Sequence, residues 1–178
     1  TQALVDPANN VMRLLNDPSR NVKALLIAEG GDLLSTLGAA LKNAGYKPGS
    51  VRILGTGLWD NPATAAMPIA QSGLYAGVAP DLVKRFDDRY SSQYGSKPSR
   101  IASLAYDAVG LTVTLARNAP GQRFTAQTLT NPDGFQGMNG LFRFRQNGLI
   151  ERGLAILQVT PNGPQVVAPA PARFGGTT

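Results

Sequence analysis

The sequence predicts an α/β fold, a mainly parallel sheet flanked by helices and followed by a C-terminal β-hairpin. Short apolar runs alternate with amphipathic stretches between residues 22 and 115, an order typical of parallel strands joined by helices. Two of these runs end in loops rich in glycine and acidic residues. Near the C-terminus, Asn147 and Gly148 separate two further predicted strands, residues 141–145 and 150–159, and an Asn-Gly pair favours a hairpin turn.

The chain opens with a predicted helix and a predicted strand. Asp6 and Pro7 suit the N-cap and first turn of a helix. This helix should end before Pro18, because the residue preceding a proline avoids helical geometry. Residues 22–28 are apolar apart from Lys23, which is typical of a parallel strand covered on both faces.

The clearest predicted helix follows Asp32, which fits its N-cap, and Gly45 provides its C-terminal stop. Apolar residues recur in it with helical spacing and predict one buried face: Leu33, Leu34, Leu37, Ala40, Leu41 and Ala44. Residues 51–54 should then form a strand, 62–70 a short alanine-rich helix and 73–78 a third strand.

Three more helices are predicted. The first begins at Pro80 and ends at Gly95, and its inward side chains should be Leu82, Val83, Phe86 and Tyr90. Ser99 should cap a longer helix whose buried side is apolar: Ile101, Leu104, Ala105, Ala108, Leu111 and Leu115. Thr125 should cap one further short helix.

The side chains of the hairpin predict its register. A three-residue connection, residues 147–149, keeps apolar residues on one face and sets opposite charges across the strands. The predicted pairs are Phe142 with Leu154, Phe144 with Arg152 and Arg145 with Glu151. A two-residue loop would bring Arg143 opposite Arg152 and mix charge into the apolar face. Residues 161–178, rich in Pro, Gly, Ala and Thr, should form an extended or disordered tail.

The composition limits the chemistry available to the chain. It has no His and no Cys, which removes imidazole bases, thiol nucleophiles, disulfides and the usual zinc ligands. The sequence carries no nucleophile elbow, phosphate-binding loop or dinucleotide fingerprint. We therefore expect no catalytic residues, no metal and no cofactor. An enzymatic activity is the class of function that the composition favours least.

Charge and length indicate the class of protein. The net charge is +6, but the 17 Lys and Arg residues are scattered and aromatic residues are few. We expect a solvated basic surface and no nucleic-acid partner. A chain of 178 residues can form one domain or two small lobes. Because it begins with neither a Met nor a signal peptide, we expect it to be processed or truncated.

The candidate binding site lies in the two glycine-rich loops. Ligands of open α/β sheets bind beyond the carboxyl ends of the strands, where the sequence places eight residues: Glu29, Gly30, Gly31, Asp32, Thr56, Gly57, Trp59 and Asp60. Trp59 either stacks on a ligand or packs under the following helix. Asp32 contacts a ligand, caps its helix, or does both. Glu29 ends a buried strand and needs a cationic partner, which is a ligand, a further lobe or an arginine.

Three charged residues outside these loops also have two interpretations. Asp107 lies off the apolar stripe of its helix, so we expect it to be solvated or to act as a cap, with a hinge-lining role as the alternative. Arg143 and Arg145 most simply form a solvated strand face. Their alternative role is a surface for a partner protein.

Five segments taken together resemble the C-terminal half of a type 1 periplasmic binding protein, of the branched-chain amino acid receptor family. They are residues 24–32, 53–62, 86–95, 102–109 and 135–144. The first two carry the sequences ALLIAEGGD and ILGTGLWDNP, which contain the glycine-rich loops. The resemblance spans roughly residues 20 to 160 in the order and spacing of the family.

The resemblance implies two α/β lobes that close on a small ligand. Residues 1–160 would contribute to both lobes, with crossovers near 73–80 and 119–141, and 161–178 would be the tail. The N-terminal half of the fold would be supplied elsewhere, or another copy would take its place. The location implied is the periplasm, with a lipoprotein anchor in the full-length form.

The chain departs from the amino-acid-binding members at two positions. The acidic residue that pairs with the ligand ammonium falls on Gly57, with Asp60 three residues later, and the aromatic after the Gly-Gly pair is Asp32. The segments LGTGLWD, GLFRF and ERGLA, at residues 54–60, 140–144 and 151–155, are together similar to a divergent branch, the lipoprotein activators of penicillin-binding proteins. The first hypothesis is a non-catalytic receptor for a small polar ligand, an amino acid or peptide-like molecule, that serves a transporter permease. The alternative is a regulator that binds a peptidoglycan synthase.

Overall fold

The computed structural model describes residues 4–99, 101–117, 121 and 123–175. These residues form two compact units. Unit 1 contains the described chain up to Gly77 together with Ile156–Val167, and unit 2 contains Val78–Ala155 and the chain from Ala168 onward. The polypeptide passes between the units after Gly77, after Ala155 and after Val167.

The helices and strands alternate through most of the chain, which confirms the predicted α/β class. The helices are α1 (Val5–Leu15), α2 (Gly31–Asn43), α3 (Pro80–Tyr94), α4 (Ala102–Ala116) and α5 (Ala126–Leu129). The strands are β1 (Ala24–Ile27), β2 (Arg52–Gly55), β3 (Leu74–Gly77), β4 (Phe135–Gly137), β5 (Gly140–Phe144), β6 (Ile150–Arg152), β7 (Ala155–Thr160) and β8 (Gly163–Ala168).

Unit 1 is built on a five-stranded sheet in the order β1-β2-β3-β7-β8. Strands β1, β2 and β3 are parallel, with Leu25 aligned to Ile53 and Leu54 to Leu74. The prediction that β1 is covered on both faces is wrong, because Leu26 is 62% exposed whereas the next residue, Ile27, is buried.

Helix α2 supplies much of the core of unit 1 through Leu34, Ala40 and Leu41. It begins at Gly31 and its N-cap is Gly30, without a side-chain cap, so the prediction that Asp32 caps it is wrong. Asp32 lies instead in the first turn, where a carboxylate interacts favourably with the helix dipole. Leu33, predicted on the buried face, is exposed.

Two other predicted caps are also absent. Helix α1 starts at Val5 after Leu4, so Asp6 lies in its first turn. Helix α4 follows its N-cap Ile101, which has no side-chain cap, and the backbone carbonyl of Ser99 accepts from the N–H of Ala102 at 3.0 Å. In each case the observed N-cap residue, Leu4 or Ile101, lies two positions away from the polar residue that was expected to cap the helix.

The predicted helix over residues 62–70 is two separate 3₁₀ turns, Pro62–Ala66 and Pro68–Ala70. Met67 between them is extended, with ψ of 118°, because a residue before proline avoids the helical region. The Asn61 side chain accepts from the N–H of Ala63 at 2.9 Å and caps the first turn.

In unit 2, the predicted start and end of α3 and the predicted N-cap of α5 are confirmed. Helix α3 runs from Pro80 to Tyr94 and stops at Gly95, whose φ of 67° is the left-handed conformation that glycine favours. Helix α5 is capped by Thr125, whose hydroxyl accepts from the N–H of Thr128 at 3.2 Å.

The burial predicted for α4 is confirmed at Leu115 but is wrong for most of the other residues of the predicted stripe. Its buried residues are Ser103, Asp107 and Leu115, whereas most of the predicted core stripe faces outward, with Ile101 70% exposed. The prediction that Asp107 is solvated or a helix cap is also wrong, because its carboxylate is buried against the turn between β4 and β5.

The hairpin exists, but its register differs from the predicted one by two residues. Strands β4, β5 and β6 form an antiparallel sheet, and the paired residues of β5 and β6 are Phe142 with Arg152, Arg143 with Glu151 and Phe144 with Ile150. Residues 146–148 form the loop, because the N–H of Arg145 donates to the carbonyl of Leu149 at 2.8 Å. The even offset keeps the two phenylalanines on one face, as predicted.

Arg143 in β5 and Arg145, the residue that follows this strand, are not a simple solvated face. In the observed register, one carboxylate oxygen of Glu151 accepts from Nε of Arg143 at 3.0 Å and from Nε of Arg145 at 2.9 Å. The Arg143 guanidinium also lies 4.3 Å from the ring centroid of Phe174. The ion pairs and this cation–π contact favour the observed register.

The C-terminal residues take part in both units. Residues 150–159, predicted as one strand, form β6 in unit 2 and β7 in unit 1, separated by Gly153 and Leu154. Residues 163–168, predicted as extended or disordered tail, form the edge strand β8. Pro164 is tolerated there because an edge strand does not need every N–H for pairing.

Candidate functional site

The two glycine-rich loops lie at one edge of the sheet of unit 1. Ile27 at the end of β1 is aligned with Gly55 at the end of β2 in a parallel pair. Residues 29–32 and 56–60 therefore leave the sheet side by side, at the carboxyl ends of their strands. This is the position at which open α/β sheets bind ligands.

Trp59 holds the two loops together. Its indole N–H donates to the backbone carbonyl of Glu29 at 2.8 Å, and the side chain is only 1% exposed. The ring occupies the space that side chains at Gly55 and Gly73 would fill: a Cβ at Gly73 would lie 2.7 Å from Cζ3, and a Cβ at Gly55 would overlap the ring. The indole thus belongs to the interior of unit 1, and stacking on a ligand would require it to leave that position.

Two glycines of the first loop are explained by geometry. A Cβ on Gly30 would lie 3.0 Å from Cβ of Leu58 in the second loop, so the absence of a side chain lets the loops approach closely. Gly31 has a φ of 56°, in the left-handed region. Both glycines bring the first turn of α2 to the rim of the sheet.

The polar side chains of the two loops differ in exposure. Glu29 and Asp32 are exposed, so their carboxylates can accept hydrogen bonds from a ligand. Asp60 is partly buried, and its Oδ1 lies 3.5 Å from the hydroxyl of Tyr75. The Thr56 hydroxyl accepts from the N–H of Leu58 at 3.3 Å and keeps its hydrogen for donation.

Leu58 and Tyr75 were not predicted from sequence as part of this region. Leu58 packs its backbone and Cβ against Gly30, while the buried Tyr75 reaches Asp60 from β3. An aromatic residue inside a strand gives no sequence signal that its hydroxyl lies beside a loop carboxylate.

Asp107 of unit 2 is a second polar centre. Its carboxylate accepts from the N–H groups of Met138 at 2.6 Å and Asn139 at 3.4 Å. The Asn139 amide donates to Oγ of Ser103 at 2.8 Å. A Cβ on Gly137 would lie 2.6 Å from the Asp107 carboxyl carbon. These contacts attach the turn between β4 and β5 to helix α4.

The described ranges contain neither a metal-binding cluster nor a membrane-spanning helix. Within residues 4–99, 101–117, 121 and 123–175, no cluster of acidic side chains is placed to hold a metal ion. In the same part of the chain, no helix is both long and apolar enough to cross a bilayer. The loops of unit 1 offer carboxylates, a hydroxyl and backbone groups, which suit a polar organic ligand.

A family model described as periplasmic binding protein matches residues 15–164, most of the chain. The chain belongs to the periplasmic binding protein family. The resemblance inferred from the five sequence segments is thereby confirmed. No curated protein matches the chain in sequence.

Solved structures share the fold of this periplasmic binding protein family member. One is described as a branched-chain amino acid ABC transporter from Rhodospirillum rubrum, with a TM-score of 0.71, 20% identity and 92% of this chain covered. A branched-chain amino acid transporter substrate-binding protein from Streptococcus pneumoniae, in complex with isoleucine, has a TM-score of 0.52, 18% identity and 90% of this chain covered. A solute-binding protein from R. palustris in complex with benzoate has a TM-score of 0.55, 18% identity and 97% of this chain covered.

The chain spans about half the length of these structures. The matches cover 48% of the Rhodospirillum rubrum chain, 49% of the Streptococcus pneumoniae chain and 48% of the R. palustris chain. Each of these proteins therefore carries a further half of similar length to which no part of the present chain was aligned.

Proposed function

We propose that this chain is part of a periplasmic receptor that binds a small polar ligand, an amino acid or peptide-like molecule, without catalysis. The observation that carries the proposal is the pair of loops after β1 and β2, fixed to each other through the Trp59 to Glu29 hydrogen bond. A site whose loops are held before the ligand arrives loses less conformational entropy on binding. Family membership supports the same class of function.

Each predicted site residue has a role in this proposal. The exposed Glu29 and Asp32 carboxylates would bind a ligand ammonium or amide, and Thr56 would donate its hydroxyl hydrogen. Asp60, beside Tyr75, would contact the ligand from the second loop. Gly30, Gly31 and Gly57 would let the ligand approach the backbone, and Trp59 would act by positioning both loops.

Further partners belong to the proposal as well. Ligand release to a transporter permease is the function expected of a receptor of this class. The two units would contribute to two lobes, and the remainder of the fold would come from a further half or from another copy. The regulator that binds a peptidoglycan synthase stays an alternative prediction for the function. A lipoprotein anchor in the full-length form also stays a prediction.

Calorimetry tests the ligand site. We expect saturable binding from a panel of amino acids and short peptides. Glu29→Gln and Asp32→Asn should each weaken it by about tenfold or more, because each removes a charge-assisted hydrogen bond. Asp81→Asn is the matched control, since it removes an exposed carboxylate from α3 in unit 2. Trp59 fluorescence should report binding at the loops independently.

Two outcomes would argue against the receptor. Equal weakening by Asp81→Asn would show that general charge, and not the loops, governs binding. A flat titration of the folded protein, together with saturable binding to a purified peptidoglycan synthase, would favour the regulator instead.

A further inference from the structure

Helix α4 of unit 2 presents a continuous apolar face to the outside. We define the α4 face as residues 101, 104, 105, 108, 109, 112, 113 and 116, which share about half of the helix circumference at 100° per residue. All eight are exposed, and Val109 is 63% exposed. Seven of the eight are apolar.

Two polar residues of α4, Asp107 and Thr112, do not make the α4 face hydrophilic. Asp107 is the only charged residue between Ala102 and Ala116, and it is buried on the other side against Met138 and Asn139. Thr112, the one polar residue of the α4 face, donates its hydroxyl to the Ala108 carbonyl at 2.8 Å. The face therefore offers no charge and no unengaged hydroxyl to solvent.

Helix α3 of the same unit shows how a solvated helix is built in this protein. It carries exposed pairs of opposite charge at i, i+4: Lys84 with Asp88 at 2.6 Å and Arg85 with Asp81 at 3.3 Å. A helix that faces water normally has a charged or polar outer stripe of this kind. Since α4 lacks one, its outer face has the composition of an interface.

We propose that the α4 face is the docking surface for the other half of the periplasmic binding protein fold, the half to which this chain does not align in its relatives. The proposal deepens the proposed function, on which it rests, by naming the surface at which the receptor is completed. The length of the relatives supports this occupant, because the Rhodospirillum rubrum match covers 92% of this chain but only 48% of that one. The partner is a polypeptide of similar length that presents an apolar sheet or helix surface, because helices of α/β folds bury their apolar stripe against a sheet.

Charge makes a second copy of the chain a poorer occupant. Each copy carries a net charge of +6, so pairing two copies brings like charges together, and the α4 face has no carboxylate to offset them. A complementary half is under no such constraint. The two occupants also give different cross-links, which makes them separable by experiment.

Site-specific photo-crosslinking tests the proposal. The photoreactive residue p-benzoylphenylalanine would replace Val109 in the protein expressed from its own gene in the cells that produce it. The matched control carries it at Thr114, which is exposed on α4 outside the α4 face. We expect cross-linked peptides from a sequence of the unmatched half of the family, in the same or a separate polypeptide, at least about tenfold above the Thr114 control.

Other cross-linking results would overturn the proposal. Products that map to residues 4–175, of the same molecule or a second copy, would assign the face to this chain itself. Products from an unrelated protein would assign it to a different partner. The absence of products above the control would show that the face is solvated.

A pair of charge variants gives an independent readout. Val109→Glu and Thr114→Glu change the net charge equally, and both side chains are exposed, so both variants should keep the urea-unfolding curve of the 178-residue chain. Only Val109→Glu should reduce recovery of the complementary half with the chain, by at least about tenfold. Neither readout uses a ligand. If ligand binding fails while the cross-link forms, only the receptor proposal is contradicted. If the cross-link is lost while ligand binding persists, only the docking-surface proposal is contradicted.

Discussion

At the scale of single residues, Trp59 and the glycines around it determine the geometry of the candidate site. The indole N–H bonds to the carbonyl of Glu29, a contact across 30 residues. Its ring fits only because Gly55 and Gly73 have no side chain. Gly55, which ends the second strand, is therefore a packing requirement.

Gly55→Ala should destabilise unit 1, because the added methyl group overlaps the Trp59 ring. We expect a loss of about 1–3 kcal/mol in the free energy of unfolding, the usual cost of overpacking a tight core. Urea unfolding followed by fluorescence of Trp59, the single tryptophan, measures it directly.

Gly57→Ala is the control for this measurement. Among the residues that the structure describes, no atom beyond Gly57 and its two chain neighbours lies within 4 Å of a Cβ built at Gly57, so the free energy of unfolding should change by less than about 1 kcal/mol. Equal destabilisation by the two variants would contradict the packing role assigned to Gly55.

At the scale of elements, the β5–β6 hairpin is held by an acidic residue between two arginines. Hydrogen bonds from Arg143, and then from Arg145, lower the pKa of Glu151 below its ordinary value. The register explains this, because Arg143 lies directly opposite Glu151 and Arg145 lies diagonally from it. The two ion pairs are thus a consequence of the loop of residues 146–148.

This lowered pKa predicts the direction of a pH effect. The folded chain holds the Glu151 proton less tightly than the unfolded chain, so the ion pairs stabilise the fold fully above the unfolded pKa of about 4.5. The contribution is lost as the pH falls through the folded pKa. The difference in unfolding free energy between wild type and Glu151→Gln should therefore shrink towards zero in acid.

Direct titration of the Glu151 carboxyl by NMR checks the cause. Arg145→Gln should raise the pKa of Glu151 part of the way, because Arg143 remains bonded to it. A stability difference that stays constant from neutral to acid pH would refute the ion-pair explanation.

At the scale of the whole molecule, the two compact units have separate cores. Unit 1 is packed around its sheet, with Trp59, Leu34 and Leu157 fully buried. Unit 2 contains Phe86, Phe142 and the polar contacts of Asp107. Units with their own cores need not unfold together.

Variants in each core should shift different transitions. Gly55→Ala should lower the midpoint reported by Trp59 and leave the hydrogen-exchange protection of the Met138 amide unchanged. Asp107→Ala should lower the hydrogen-exchange protection of the Met138 amide and leave the midpoint reported by Trp59 unchanged. The N–H groups of Met138 and Asn139 lose their acceptor, which costs about 1–3 kcal/mol of stability for each unsatisfied group. One cooperative transition that both variants shift equally at both probes would contradict independent cores.

The sequence by itself determined the local features of this protein. Gly95 and Thr125 act on the backbone within a few residues, so the end of α3 and the cap of α5 follow from short-range rules. The α/β class follows from the order of helices and strands along the chain. The two loops at the carboxyl ends of β1 and β2 follow in the same way, since two parallel strands place their ends together.

Only the tertiary structure decided which faces and which distant residues meet. Periodicity identified the apolar stripe of α4 but could not show that Asp107, on the opposite side, is the residue buried against Met138. Strand β8 exists because β7 offers it an edge, and the hairpin register depends on where the two arginines reach Glu151. The physical reason is common to all three: burial and pairing are properties of two surfaces in contact, and a single stretch of sequence specifies only one of them.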